Sequence, residues 1–285
     1  MTGHRMKPSW LNKKIDLRAC SRTKEILRSL RVETVCEQAM CPNIGECFGR
    51  GEATFLILGK HCTRACSFCN VRKEKPIGPD PGEPGRVAEA VKLFSLKHAV
   101  ITSVTRDDLP DGGASLFADT VLSIRERSPG VKVEVLIPDF RLSPGAITLV
   151  VKSSPDIIAH NVETVPSLYE ITRRGADYDR SLEVLRIVKS LSPKIRTKSG
   201  IMLGMGERED EVYSVMRDLR SVFCDFLSIG QYLAPSRSHH PVKEYITPDK
   251  FKRYKEEGIE MGFAHIESGP YVRSSYMAAS YLHGK

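Results

Sequence analysis

The sequence predicts an α/β fold, a curved and partly open barrel of six β/α units. Three observations carry that expectation. Strand-like and helix-like segments alternate six times, each strand is a short apolar or β-branched run, and polar clusters recur just beyond the strands. Repeated strand-then-helix units imply a parallel sheet with right-handed crossovers. Six units cannot close an eight-stranded barrel, so the sheet is expected to stay open.

Residues 1–34 show little periodicity beyond a helical turn around 23–30 and are expected to wrap over the surface. Residues 54–59 (Thr-Phe-Leu-Ile-Leu-Gly) form the first strand. A helix over 85–97 places Val87, Ala90, Val91 and Phe94 on one face. The second strand covers 98–104, a helix 114–127, and the third strand 132–137. Ser143-Pro144 opens the next helix as cap plus first-turn proline. A fourth strand covers 156–159, and the helix 180–191 aligns Leu182, Leu185, Val188 and Leu191. The fifth strand covers 195–203, a helix 209–222, and the sixth strand 226–230. Thr247-Pro248 opens a last helix that ends near Gly258 or Gly262.

In such sheets ligands bind beyond the carboxyl ends of the strands. Five polar clusters fall there: the Cys62 loop, Arg106-Asp107-Asp108, Asn161-Val162-Glu163, residues 204–207 and Gln231-Tyr232. All point to one mouth.

A chain of 285 residues can bury a sizeable core, as one large α/β domain or two smaller ones. It has no apolar run long enough to span a bilayer, and its N-terminus lacks the apolar core of a signal peptide. A cytoplasmic, reducing setting follows, in which eight cysteines are better read as metal ligands than as disulfides. Cys20 and Cys224 are read as free or packed thiols. The net charge of +8 is uneven: residues 1–31 hold nine Lys or Arg against Asp16 and Glu25. Such an arm suits an acidic partner, either nucleic acid or an acidic protein surface, unless it is simply solvated.

The other six cysteines form two triads. In Cys62-Thr-Arg-Ala-Cys66-Ser-Phe-Cys69 the thiols sit on one loop that need curl only once to bring them together. Structural zinc wants four protein ligands. A cubane [4Fe–4S] cluster is usually held by four cysteines, so three would leave one iron open. A zinc loop completed by His61 or a remote residue is the alternative. Cys36, Cys41 and Cys47 form the second triad, with turns at Pro42-Asn43 and Gly45 folding it inward. Zinc is the alternative there too, but two incomplete triads together favour iron–sulfur for both.

The pattern C-x3-C-x-aromatic-C after a first strand, with Phe68 as the aromatic, resembles the signature of the radical S-adenosylmethionine superfamily. The resemblance implies a partial, TIM-like barrel. It also implies an open iron chelated by the amino and carboxylate groups of S-adenosylmethionine, which one-electron reduction splits into methionine and a 5′-deoxyadenosyl radical. Residues 200–207 resemble that superfamily's fifth-strand motif, which puts Gly204 beside the adenine. As a dinucleotide fingerprint they fail, because Glu209 takes the third glycine position. Asn161 and Glu163 suit ribose hydroxyls, and Arg174 suits the cofactor carboxylate; ordinary surface polarity is the alternative for each. His160 is read as a hydrogen-bonded structural histidine.

The resemblance runs in order from Trp10 to Ala278, through CEQAMCPNIGEC, GKHCTRACSFC, TSVTRDDLPDGGA, VEVLIPDF, HNVETVPSLY, RGADYDRSLEVL, TKSGIMLGMGE, IGQYLAPSRSHHPV and SGPYVRSSY. Together these are similar to the branch of the superfamily that inserts sulfur into a protein-bound octanoyl chain. That likeness implies sulfur insertion at C6 and C8, two S-adenosylmethionine molecules consumed, and two [4Fe–4S] clusters. The auxiliary cluster, on Cys36, Cys41 and Cys47, would be completed by Ser275 of Arg273-Ser274-Ser275-Tyr276 and would supply the sulfur. Met277 departs from the histidine common there. Breaking unactivated C–H bonds lies beyond side-chain acids and bases and calls for such cofactors.

Implied partners are octanoylated carrier domains (2-oxoacid dehydrogenase E2 subunits and the glycine cleavage H protein) and a reducing donor such as ferredoxin or flavodoxin, with no nucleic acid and no membrane. The expected division is an N-terminal extension (1–50), the barrel (51–264) and a C-terminal segment (265–285), both ends lying over the barrel mouth. The rivals are a tRNA-modifying sulfur-inserting radical enzyme and a zinc protein binding nucleic acid.

Overall fold

Thr54, Phe55, Leu56 and Ile57 are all buried, as in a parallel strand covered on both faces. The computed structural model describes residues 7–13 and 20–282. Eight strands among them make one sheet in chain order: β1 (Glu33–Thr34), β2 (Thr54–Ile57), β3 (His98–Ser103), β4 (Lys132–Leu136), β5 (Ile157–Ala159), β6 (Arg196–Leu203), β7 (Phe226–Gln231) and β8 (His265–Gly269). The short β1 pairs antiparallel with β2, and the pairs from β2 to β8 are all parallel. The architecture is the α/β partial barrel that the sequence predicts, with a seventh parallel strand added. In β8 only Ile266 is a buried apolar residue, so no pattern marked it.

Three helices, α1 (Ser21–Leu30), α2 (Val35–Gln38) and α3 (Ile44–Gly49), precede or follow β1. The crossovers carry α4 (Glu83–Leu93), α5 (Ala114–Arg127), α6 (Pro144–Lys152), α7 (Tyr169–Thr172), α8 (Tyr178–Leu191), α9 (Glu209–Ser221) and α10 (Pro248–Glu260). The expected caps form: Ser143 accepts from the Ala146 amide and Thr247 from the Lys250 amide. α8 starts before residue 180 because Asp177 caps it at the Arg180 amide. α4 stops short of residue 97, where Ser95 takes φ +51°. Most of the core falls into two clusters, one around β2–β4 with α4–α6 and one around β6–β8 with α9 and α10, and a small third joins Ile157, Phe226 and Tyr281.

After β8 the chain turns back across the sheet. The Val272 carbonyl would lie 2.1 Å from a Cβ at position 230, so that close approach requires Gly230. The chain then delivers Tyr281 to the amino ends of the strands. There its ring covers the Lys198 ammonium at 3.7 Å and packs on His265 and Phe226. Lys198 is fully buried and pairs with Glu134 at 3.0 Å, which also meets His98 at 3.3 Å.

Of the basic N-terminal stretch, Arg5, Lys14 and Arg18 lie outside the described residues. Among the described ones, Lys13 is committed to an internal pair with Glu46 at 2.6 Å. No helix among the described residues is long and apolar enough to cross a membrane.

Candidate active site

The Cys62 loop leaves β2 through Leu58 (φ +68°) and Gly59 (φ +82°). It is stitched down on both sides. The Cys62 amide donates to the Arg72 carbonyl, Thr63 to Thr105, and the Ser67 amide to the Thr172 carbonyl. Within the loop, Arg64 reaches two carboxylates set just beyond β3 and β4. Its guanidinium takes Asp107 at 2.8 and 3.0 Å and Asp139 at 2.9 and 2.6 Å, two bidentate pairs almost out of water. Burial works to raise Asp139, but Arg64 overrides it and holds the carboxyl well below its usual range.

The second triad is carried by α2 and α3. Thr34 caps α2 at the Glu37 amide, and Cys36 is buried in that first turn. The C-terminal segment crosses over it. Ser275 Oγ lies 2.6 Å from Thr54 Oγ1, and Thr54 lines the same hollow as Cys36. Asn43 donates to the Tyr271 carbonyl, Tyr276 donates to Glu46, and the Lys13 ammonium stands 5.0 and 5.8 Å from the Tyr271 and Tyr276 ring centres. Both terminal segments are thereby tied across the triad.

Two cavities meet at these residues. One of about 420 Å³ is lined by Cys36, Cys41, Phe68, Cys69, Asn161, Glu163, Ser274 and Ser275, with Leu136, Ile201, Met202, Leu233 and Val272 giving it apolar walls. The other, of about 540 Å³, has Cys36, Cys41, Cys47, Thr54 and Ser275 around it. The structure therefore brings one cysteine of the loop, two of the second triad and Ser275 to a single chamber.

The donor chemistry fits bound clusters. Burial pushes the Cys36 thiol up to about 11, with Cys41 adding to it, and Cys47 up to about 12, with Cys36 and Cys41 adding to it. Burial likewise takes Cys69 to about 12 and raises Cys66. Buried thiols raised in this way are held as thiolates by metal cations, whose charge offsets the cost of burial and of neighbouring thiolates. Among the described residues no three His, Cys, Asp or Glu side chains converge closely enough for one metal ion. A cubane tolerates wider spacing, because each thiolate meets a different iron.

Asn161 donates to Glu163 at 3.1 Å and to Ser274 at 2.6 Å, while its own Oδ1 is buried without a partner. Glu163 sits at φ +66°, a left-handed conformation uncommon for a non-glycine residue. Burial raises its carboxyl, and the Arg173 guanidinium opposes that. An orphaned acceptor beside a carboxylate suits hydroxyl donors on a ligand.

Other sequence candidates stand elsewhere. Arg174 is exposed and lines a surface hollow; its neighbour Arg173 turns inward, bonding Tyr169 at 2.7 Å and Ser181 at 2.9 Å. Gly204 lies outside the chamber wall, and the Glu207 carboxylate caps the amides of Gly204, Met205 and Gly206. Arg106 is spent on Asp108, whereas Gln231 and Tyr232 do line the chamber, the Gln231 amide donating to the Leu203 and Glu244 carbonyls. His160 Nδ1 meets the Ile137 carbonyl at 2.9 Å, the structural role expected. Cys20 and Cys224 are buried thiols. Sequence reasoning missed Thr54 and the Arg64–Asp139 clamp, which no local pattern signals.

Comparison with known proteins agrees with this geometry. Residues 56–219 match the family model of the radical SAM superfamily. The chain is 61% identical to the lipoyl synthase of Geobacter metallireducens over 275 residues, covering 96% of this chain and 97% of that one. It is 59% identical to that of Citrifermentans bemidjiense (98% and 96% covered) and 55% to that of Caldanaerobacter subterraneus subsp. tengcongensis (95% and 95%). Among solved structures, the fold matches the [FeFe]-hydrogenase maturase HydG with a TM-score of 0.57 at 13% identity, covering 93% of this chain and 74% of that one. It matches methylornithine synthase (PylB) at 0.55 and 15%, covering 87% and 69%. The match to Streptococcus suis SuiB bound to S-adenosylmethionine is 0.56 at 12%, over 72% of this chain but 46% of that one. Near-full-length identity of this order, on a matching radical SAM barrel, makes the chain a member of the lipoyl synthase family.

Proposed function

We propose that the chain is a lipoyl synthase in which Cys62, Cys66 and Cys69 hold the S-adenosylmethionine-binding [4Fe–4S] cluster, and Cys36, Cys41, Cys47 and Ser275 hold the auxiliary one. The substrate is an octanoyl chain on a lysine of a carrier domain, and the product carries sulfur at C6 and C8. When bound, these cofactors supply the radical that removes hydrogen and the sulfur that replaces it. The observation that carries the reading is the shared chamber, which Cys69 lines together with Cys36, Cys41 and Ser275.

The chain's own residues hold and shield. Leu136, Ile201, Met202, Leu233 and Val272 offer the alkyl chain an apolar wall, which excludes water that would quench a radical. Asn161 and Glu163 present an acceptor and a carboxylate for ribose hydroxyls, and Phe68 lines the same space. Arg64 fixes the loop through Asp107 and Asp139. Ser275 offers a hard oxygen to a soft iron, a weaker anchor than thiolate, which suits a site that gives material up. Gly204, outside the chamber wall, keeps its reading as a support for adenine through the β6 backbone, whereas Arg174 lines the outer hollow and does not reach the chamber where a cofactor carboxylate would lie.

Residues 1–50 act as the extension bearing the auxiliary site, 51–269 as the barrel, whose strand β8 runs past the expected boundary at 264, and 270–285 as the segment that brings Ser275 in. The partners are octanoylated carrier domains and a reducing donor. No disulfide joins the described cysteines, which suits a reducing, cytoplasmic setting. The test is replacement of Cys62, Cys66 and Cys69 together by Ala. Reductive cleavage of S-adenosylmethionine should vanish, and continued formation of 5′-deoxyadenosine would sink the assignment.

A further inference from the structure

The loop carrying Cys62, Cys66 and Cys69 forms a thin wall. Phe68 and Cys69 face the inner chamber. Ala65, Ser67 and again Cys69 face a separate hollow of about 460 Å³ on the outer surface. Ile171 lines that hollow and is 58% exposed, an uncovered apolar residue immediately beside the loop. Lys73 and Arg174 flank it, and no carboxylate lines it. Arg72 and Arg237, next in the chain to Lys73 and Ser238, are exposed as well. Exposed Glu170 and Glu74 adjoin in sequence, and Glu74 already meets His61 at 3.4 Å.

A radical centre on this loop needs one electron from outside for each S-adenosylmethionine it cleaves. The inner side of the loop is taken up by substrate and cofactor, so a protein donor must approach from the outer side. We propose that the surface around Ile171, Lys73 and Arg174 is the docking site of an acidic one-electron carrier protein. An apolar centre ringed by cations has the anatomy of a transient protein interface, and the charge would steer an acidic partner and make its association salt-dependent. One electron leaves the reduced carrier and enters the cluster; the carrier is oxidised by one, the cluster reduced by one, and no covalent bond changes in the transfer. The octanoylated carrier is the less suited occupant, because its alkyl chain must enter the inner chamber and the cysteine loop separates the two. The inference rests on reading Cys62, Cys66 and Cys69 as ligands of the reducible cluster.

The experiment uses the reconstituted holoenzyme with Lys73→Glu and Ile171→Glu together, and Lys73→Gln alone as the milder variant. Reduced flavodoxin and reduced ferredoxin are the probes in turn, with dithionite as a small reductant that needs no docking. Direct titration should show the affinity of the double variant for the protein donor falling by about tenfold, with a flattened salt dependence. The single variant should move the same way by less. Dithionite-driven cleavage should stay within about twofold of the parent for Lys73→Gln, since no cluster ligand has changed. Unchanged binding and reduction by both donors would overturn the docking site, as would a rise in KM for the octanoylated carrier with donor binding intact. Cleavage surviving in a chain without Cys62, Cys66 and Cys69 would instead overturn the reading beneath it.

Discussion

The hydroxyls of Thr54 and Ser275 lie 2.6 Å apart across 221 residues of sequence. Thr54 opens β2 and lines one hollow with Cys36, Cys41 and Cys47, so one threonine stands between the C-terminal segment and the second cysteine triad. Replacing Ser275 with Ala should leave the iron on the Cys62 loop in place while the auxiliary iron is lost faster to a chelator. Thr54→Val removes only a hydrogen bond, worth about 1 kcal/mol, and should weaken retention by a smaller factor. Iron release followed by absorbance distinguishes the two; equal retention in all three proteins would count against Ser275 as a ligand.

Arg64 is held by Asp107 and Asp139, and Asp139 is almost wholly buried. Without the guanidinium Asp139 keeps only Arg180 at 3.0 Å and the Arg141 amide, so Arg64→Met should destabilise the metal-free chain by about 1.5–3 kcal/mol. Denaturant unfolding measures this directly. A loss below about 1 kcal/mol would mean that the clamp is ornamental.

Tyr281 covers Lys198 with its ring, but its buried hydroxyl has no partner among the described residues. Tyr281→Phe should therefore be nearly neutral, since only an unsatisfied group is removed. Tyr281→Ala should cost about 3–5 kcal/mol and speed hydrogen exchange over 272–282, because the ring anchors the strand-crossing segment. Equal exchange in both variants would contradict that anchoring.

Burial lowers His160 to about 4, with Arg173 adding to the effect. An unfolded chain, with imidazole near 6.5, binds the proton first as pH falls. This site therefore costs nothing above about pH 6.5 and progressively more down to about pH 4, reaching roughly 3 kcal/mol. His160→Asn, whose amide can still donate to the Ile137 carbonyl, should flatten that part of the stability–pH curve. An unchanged slope would show that other groups govern acid lability.

The barrel and both triads were legible because strands and thiol spacings are local patterns. Ser275 was legible only through resemblance, since two adjacent serines carry no chemical signal. β8 escaped because Ile266 is its single buried apolar residue. The choice between Arg173 and Arg174 turns on a one-residue rotation at the end of α7, which places Arg173 inside and Arg174 outside. Lys198 was hidden within a strand that otherwise reads as buried, and Glu134 sits 64 residues from it. Long-range ion pairs leave no trace in periodicity.

The central claim is that the cluster on Cys36, Cys41, Cys47 and Ser275 is consumed as the sulfur source. Its most direct test is to reconstitute that cluster with a heavy sulfur isotope and run one turnover on an octanoyl-lysine peptide without added sulfide. Mass spectrometry should then find the heavy isotope at both inserted positions of the dithiolane product. Natural-abundance sulfur in that product would contradict the account, wherever the clusters are bound.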